Sequence, residues 1–213
     1  QLPGEDMKKE NKVFYEKLLI LVVPIALQNL MSAMVSASDA IMLSLLDQDS
    51  LSAVSLATQV QFVLSLFWAA LTIGGTILAA QYWGKKDIQS VERILAIVLK
   101  LSVLLSALFF VGAIGFPRLL MRIFTNDDTL VTLGTIYLKA VSWSYLFAGV
   151  SQMYLCIMKN SGRTGKSTVF GSISMVTNIL LNAVFIFGLL GAPKMGIRGA
   201  AVATVIARGL ELL

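Results

Sequence analysis

The sequence predicts an all-α integral membrane protein with six transmembrane helices in one domain, residues 1–213. Hydrophobic residues make up 57% of the chain and charged residues only 14%, against about 25% charged in an average soluble domain. Two runs that contain no charged residue, 51–83 and 167–193, are long enough to cross a bilayer. A water-soluble fold does not explain runs of this length.

Each predicted helix is an apolar run between two polar breaks. The connections are short, so consecutive helices are expected to be antiparallel neighbours in one compact bundle. The helices are predicted near residues 18–46, 51–83, 91–116, 129–158, 167–190 and 197–213.

The helices differ in the residues that interrupt their apolar runs. The first follows a polar segment and should act as an uncleaved insertion signal, and Pro24 should bend it. The second carries Gly74 and Gly75, and the sixth carries the small-residue run 199–203; both allow close helix packing. The third and fourth each carry one lysine, Lys100 and Lys139, expected to extend toward the membrane surface. The fifth carries amides but no charge.

Basic residues are concentrated in the connections on one side of the predicted bundle, which predicts a cytoplasmic N-terminus. This distribution explains the net charge of +5 without nucleic-acid binding. The inner side holds Lys8, Lys9, Lys12, Lys17, Lys85, Lys86, Arg93, Lys159, Arg163 and Lys166, and the outer side holds Arg118, Arg122, Lys194 and Arg198.

The residue inventory argues against enzymatic, redox and metal chemistry. The chain has one cysteine, Cys156, and no histidine, so neither an internal disulfide nor a zinc site of the usual ligands is expected. Residues 160–167 (NSGRTGKS) resemble the end of a phosphate-binding loop but lack its first glycine and follow a membrane helix. No nucleophile, base and orienting group occur together in a known pattern. We therefore expect no enzyme and no cofactor.

Asp39 is the one charged residue in the first predicted helix. An ionised group at membrane depth costs from about 3 to more than 10 kcal/mol, so it persists where it meets a cation, a proton or a cavity. At a helix rise of about 1.5 Å per residue, Asp39, Asn182 and Thr204 all lie roughly 12 to 14 Å from the outer connections. Asn178 lies one turn below Asn182 on the same helix face.

These four side chains offer a carboxylate, two amides and a hydroxyl, a set that suits a hard monovalent cation or a proton. The plain alternative is that the amides and the hydroxyl only join helices by hydrogen bonds. A second alternative is a structural ion pair between Asp39 and Lys139, which lies at a similar depth. The aromatic residues Phe67, Trp68, Trp143 and Tyr145 could line a cavity for flat cations or simply pack.

Four stretches of the sequence resemble the N-terminal lobe of the multidrug and toxic compound extrusion (MATE) transporters, of the MOP superfamily. Residues 24–30 (PIALQNL), followed by Asp39, resemble the first helix of that family. Residues 51–57 (LSAVSLA) resemble the start of its second helix, and 80–87 (AQYWGKKD) the loop after it. Residues 195–204 (MGIRGAAVAT) resemble its entry into helix six.

The resemblance implies a multi-pass antiporter of the bacterial cytoplasmic membrane that exchanges organic cations for Na⁺ or H⁺. Asp39 then corresponds to the first-helix acid proposed to bind the coupling ion, with Asn178, Asn182 and Thr204 at the partner positions. Some relatives carry a second acid where this chain has Asn182, so the resemblance does not choose between Na⁺ and H⁺.

The resemblance also implies a partner for this lobe, because members of the family have two six-helix lobes that face each other across a cavity. A C-terminal lobe in a longer chain, or a second copy of this one, would complete the substrate path. Two rival functions stay open: a lipid-linked sugar flippase of the same superfamily, and a non-transporting six-helix membrane scaffold that uses the Asp39–Lys139 pair.

Overall fold

The computed structural model describes residues 3–160 and 164–212, and this part of the chain is helical without a strand. The helices are α1 (Pro3–Ser44), α2 (Gln48–Gly84), α3 (Ile88–Gly115), α4 (Pro117–Phe124), α5 (Asp128–Asn160), α6 (Thr164–Phe187) and α7 (Ile197–Leu212), with a short 3-10 helix at Leu189–Gly191. Arg163 and the centre of the 160–167 segment, together with Leu213, lie outside the described residues.

Within residues 3–160 and 164–212, five helices are long and apolar enough to cross a membrane: α1, α2, α3, α5 and α6. They correspond to the first five predicted spans, although α1 begins well before residue 18. The sixth predicted helix is present as α7, but its 16 described residues are shorter than a full span. The cytoplasmic N-terminus stays a prediction, because helix positions alone do not tell which side of the membrane each connection faces. The side chains of Lys8, Lys9, Lys12, Lys17, Lys159 and Lys166 are not described.

Helix α4 was not expected, since residues 117–128 were predicted to be a connection. Pro117 explains the break after α3: proline disfavours a helical residue before it and is well suited to a first helical turn. The new helix is amphipathic, and Met121 is completely buried. Its side chain occupies the space beside Gly134 of α5, where a Cβ atom would lie 2.2 Å from the Met121 Cε atom. Helix α4 therefore packs mainly on α5.

Helix α5 lies at the centre of the bundle and packs against α2, α3, α4 and α7. Buried polar contacts reinforce this packing: the Ser102 hydroxyl donates to the Gly149 carbonyl at 2.7 Å, and the Trp68 indole N–H donates to Ser106 Oγ at 3.2 Å. Helix α1 packs more extensively on α6 than on α2. The prediction that consecutive helices are neighbours does not say which contact is the larger, and for α1 the larger contact is with α6.

The outer surface is apolar in the manner of a lipid-facing helix bundle. On α3, Leu104, Leu108 and Val111 are 66%, 64% and 60% exposed. In water such a surface would be an aggregation or association site, whereas lipid tails are as apolar as leucine. The exposed face of α3 therefore fits the membrane assignment.

Two helix pairs approach closely at glycine, as the sequence predicted. A Cβ atom on Gly199 of α7 would lie 2.6 Å from the Phe185 carbonyl oxygen of α6. Gly75 of α2 faces Val98 of α3, with a Cβ-to-Cγ2 distance of 2.8 Å, while Gly74 has open space. Gly199 therefore sets how closely α6 and α7 can pack, which matters for the site described below.

Helix α2 begins with a capping interaction outside the membrane-spanning segments. Asp47 accepts from the Ser50 backbone N–H at 2.6 Å and from the Ser50 hydroxyl at 2.7 Å. The Ser50 hydroxyl, and secondarily its N–H, lower the pKa of Asp47 below 3.8. Asp87 and Ser90 repeat the arrangement at the start of α3.

We expect Asp47→Ala to destabilise the protein by about 1 kcal/mol near neutral pH, the usual value of such a cap. Because folding lowers the pKa, the charged-cap contribution is fully present above 3.8 and disappears as the pH falls through the folded-state pKa. Thermal unfolding in detergent near pH 7 and near pH 3 would measure this loss. Asp47→Asn is the control: it retains a cap without this titration, and equal melting temperatures for wild type and Asp47→Ala at both pH values would contradict the expectation.

Candidate functional site

Asp39 of α1 meets Asn182 of α6 inside the bundle. The Asn182 side-chain N–H donates to Asp39 Oδ1 over 2.5 Å. Asn182 is only 1% exposed, whereas Asp39 is half-buried at the wall of a cavity. The extensive packing of α1 on α6 brings these two residues together.

Asn178 and Thr204 extend this contact to α7. The Asn182 N–H also reaches Asn178 Oδ1 at 3.3 Å, and the Asn178 N–H donates to the Thr204 hydroxyl at 3.4 Å. The Thr204 hydroxyl in turn donates to the Ala200 carbonyl at 3.0 Å. All four site residues predicted from the sequence therefore form one hydrogen-bonded chain across α1, α6 and α7.

Among the four hydrogen-bonded side chains, one oxygen has no hydrogen-bond partner. Asn182 Oδ1 is buried and accepts no hydrogen bond, although a buried polar atom left unpaired costs about 1–3 kcal/mol. The amide uses its N–H groups on Asp39 and Asn178, and its oxygen remains available. An unpaired oxygen next to a carboxylate is a suitable ligand for a hard cation.

A cavity of about 580 Å³ opens beside Asp39. This volume falls within the range of small-molecule sites, roughly 300–1,000 Å³. Its walls come from α1, α2, α5, α6 and α7. They include Asp39, Asn178 and Thr204, the polar α2 residues Ser55, Thr58, Gln59 and Gln61, the aromatic residues Phe62 and Tyr137, and Arg208.

The alternative ion pair between Asp39 and Lys139 is not formed. Tyr137, Leu138 and Val141 are on the buried side of α5, which leaves Lys139 exposed on the other side. The ion pairs in the described part of the chain are Arg122–Asp128 at 3.4 Å and Arg208–Glu211 at 2.8 Å. A depth count places a residue along the membrane normal but does not give its rotation about the helix axis.

The aromatic residues suggested by the sequence do not line this cavity. Trp68 and Tyr145 are buried in the core, and Trp143 packs edge-on against Phe110 with ring centroids 4.9 Å apart. Phe62 and Tyr137 occupy the cavity wall instead.

Sequence reasoning missed the ion pair on α7. Arg208 lines the cavity, and its guanidinium contacts Glu211, whose side chain is 3% exposed. The available signal was two opposite charges three residues apart near the end of a largely apolar helix, a spacing that places them side by side.

Helices α1, α2, α3, α5 and α6 are long and apolar enough to cross a membrane, and the bundle contains a cavity lined by Asp39, Asn178 and Thr204, an arrangement typical of a membrane transport protein. The MatE family model matches residues 24–184. The chain therefore belongs to the MatE family, which agrees with the resemblance seen in the sequence.

The relatives named here are bacterial proteins described as a transporter and as a probable multidrug resistance protein. The chain is 26% identical over 211 residues to the uncharacterized transporter YisQ of Bacillus subtilis, covering 97% of this chain and 45% of the relative. It is 25% identical over 208 residues to the probable multidrug resistance protein NorM of Thermotoga maritima, covering 97% and 44%. The chain thus spans about half the length of the relatives it matches.

Solved structures share the fold. A multidrug resistance MATE family transporter of the MOP superfamily, in an outward-facing conformation, superposes with a TM-score of 0.82 at 21% identity, covering 92% of this chain and 42% of that chain. A MOP superfamily transporter from Pyrococcus furiosus, described as having a binding pocket of reverse polarity, superposes with a TM-score of 0.81 at 21% identity, with the same coverage.

Proposed function

We propose that this chain is the ion-binding lobe of an antiporter that exports organic cations in exchange for Na⁺ or H⁺. The observation that supports it most is the hydrogen-bonded chain from Asp39 through Asn182 and Asn178 to Thr204, at the edge of a cavity. The curated relatives named as multidrug resistance proteins support the choice of drug-like substrates. A C-terminal lobe, or a second copy of this chain, would complete the substrate path.

The charge of the site favours a monovalent ion. Asp39 supplies one negative charge, and its partners in the hydrogen-bonded chain are neutral. One Na⁺ or one proton neutralises that charge, whereas a divalent ion would leave an uncompensated positive charge at membrane depth. Asn182 Oδ1 and Asn178 Oδ1 supply further oxygen ligands of the kind that Na⁺ accepts.

Ion binding at Asp39 would change the contact between α1 and α6. The Asn182 N–H now occupies Asp39 Oδ1, so an ion or proton that takes this oxygen displaces the hydrogen bond that joins α1 to α6. Conformations with different α1–α6 contacts then differ in ion affinity. Exchange follows when the ion and the substrate prefer different conformations.

The cavity suits a cationic substrate. Asp39 contributes negative charge, and the lining includes the aromatic residues Phe62 and Tyr137; organic cations are attracted to aromatic rings. Arg208, the basic residue of the wall, is paired with Glu211. A lipid-linked sugar flippase would need unpaired basic groups for a pyrophosphate. The scaffold alternative loses its structural basis because Asp39 and Lys139 form no pair.

The proposal is tested by gradient-driven transport in proteoliposomes that contain the complete gene product and are loaded with tetraphenylphosphonium. We expect efflux to be faster with an inward gradient of the coupling ion, Na⁺ or H⁺ imposed separately, than without one, because ion and substrate binding are coupled. Equal efflux rates with and without either gradient would contradict the proposal. Vesicles without protein correct for passive leakage.

A further inference from the structure

The ion pair on α7 joins the cavity wall to a buried carboxylate. Arg208 lies one helical turn from Thr204, about 6 Å along α7, and both line the cavity. Arg208 Nη1 donates to Glu211 Oε2 at 2.8 Å. The Arg208 side chain is 29% exposed and that of Glu211 is 3% exposed, so the cation faces the cavity and the acid lies behind it.

A third residue holds Glu211 in place. The Ser151 hydroxyl of α5 donates to the same Oε2 atom at 3.1 Å. A carboxylate with two donors is held toward α5 rather than free to turn into the cavity, and charge-assisted hydrogen bonds of this kind are among the stronger ones in proteins. The buried Glu211 carboxylate is therefore positioned to neutralise the charge of Arg208 from the side away from the cavity.

We propose that Glu211 determines the charge selectivity of the cavity by neutralising Arg208. With the pair intact, Arg208 and Glu211 cancel and the ionised Asp39 leaves the cavity negative, which attracts cations. Without Glu211, the positive charge of Arg208 cancels the negative charge of Asp39, and the cavity no longer prefers cations to anions. The inference deepens the proposed function and rests on it, because it concerns the selection of organic cations by the same cavity.

Two probes of equal shape and opposite charge test this role. We expect Glu211→Gln in the complete gene product to weaken tetraphenylphosphonium binding about tenfold, the factor for one uncompensated charge roughly 10 Å away in a medium with an effective dielectric of about 20. Binding of tetraphenylborate should strengthen at the same time. Equilibrium dialysis with protein in lipid nanodiscs measures both, after subtraction of binding to empty nanodiscs.

Further variants separate the charge effect from loss of structure. The double variant Arg208→Gln/Glu211→Gln should restore the wild-type preference for the cation, and Arg208→Gln alone should bind the cation at least as tightly as wild type. Asp128→Asn is the matched control, because it removes the acid of an exposed ion pair, Arg122–Asp128. It should leave the binding of both probes unchanged.

The outcomes distinguish this role from the proposed function. If wild type shows no preference for the cation, the export proposal fails and the role of Glu211 fails with it. If wild type prefers the cation and folded Glu211→Gln keeps that preference, only the role of Glu211 is overturned. If Glu211→Gln does not fold, weaker cation binding by Arg208→Gln than by wild type overturns it.

Discussion

Replacement of Asp39 by asparagine should abolish ion-driven export of tetraphenylphosphonium by the complete gene product and leave its insertion into the membrane intact. Asparagine has nearly the same shape but cannot carry the negative charge that the site needs. Removing one partner of a buried ion typically costs about 3–5 kcal/mol, which corresponds to a loss of coupling-ion affinity of at least about a hundredfold. Efflux from proteoliposomes under an ion gradient measures the loss.

Asp47→Asn provides the matched control for this substitution. It makes the same chemical change at a helix cap outside the membrane-spanning segments, where asparagine also caps well. We expect efflux at the wild-type rate from this variant. Wild-type efflux from Asp39→Asn, at equal protein incorporation, would remove Asp39 from the mechanism.

Gly199→Ala should produce a larger loss of stability than Gly209→Ala, the other glycine-to-alanine change in α7. The added Cβ atom would lie 2.6 Å from the carbonyl oxygen of Phe185 and 3.0 Å from the backbone nitrogen of Ile186. Backbone atoms cannot move aside as a side chain does, so α6 and α7 must separate. Overpacking of this kind costs about 1–3 kcal/mol, and thermal unfolding in detergent would show a lower melting temperature.

Separation of α6 from α7 by Gly199→Ala should also weaken the candidate ion site. The Asn178–Thr204 hydrogen bond joins α6 to α7 and is already 3.4 Å long, so a small displacement breaks it. Gly209→Ala is the control within the same helix, because its Cβ atom would have nothing within 4 Å. That variant should be as stable as wild type or more so, by up to about 1 kcal/mol, since alanine favours helix more than glycine does. A Gly199→Ala protein as stable as wild type would contradict the packing assigned here.

The candidate site was largely predictable because it depends on helix geometry. Asp39, Asn182 and Thr204 were grouped by counting residues from the ends of apolar runs, and a regular rise of about 1.5 Å per residue makes such a count accurate enough. Asn178 followed from its four-residue spacing to Asn182. The structure places all four in one hydrogen-bonded chain.

Other features depend on information that the sequence pattern does not carry. Depth alone did not show that Lys139 points away from Asp39, because the rotation of α5 is determined by which of its faces packs in the core. Adjacency along the chain did not predict that α1 packs mainly on α6. Helix α4 was missed because its eight residues are too few to resemble a span.

The most direct test of the ion-exchange account is to count the ions displaced when an organic cation binds. The purified gene product in nanodiscs is first equilibrated with Na⁺ or at a proton concentration that loads the site, and tetraphenylphosphonium is then added. If substrate and ion prefer different states, wild type should release about one Na⁺ or one proton per substrate bound, and Asp39→Asn should release none. Equal release from Asp39→Asn and wild type, at equal substrate binding, would contradict the assignment of the coupling ion to Asp39.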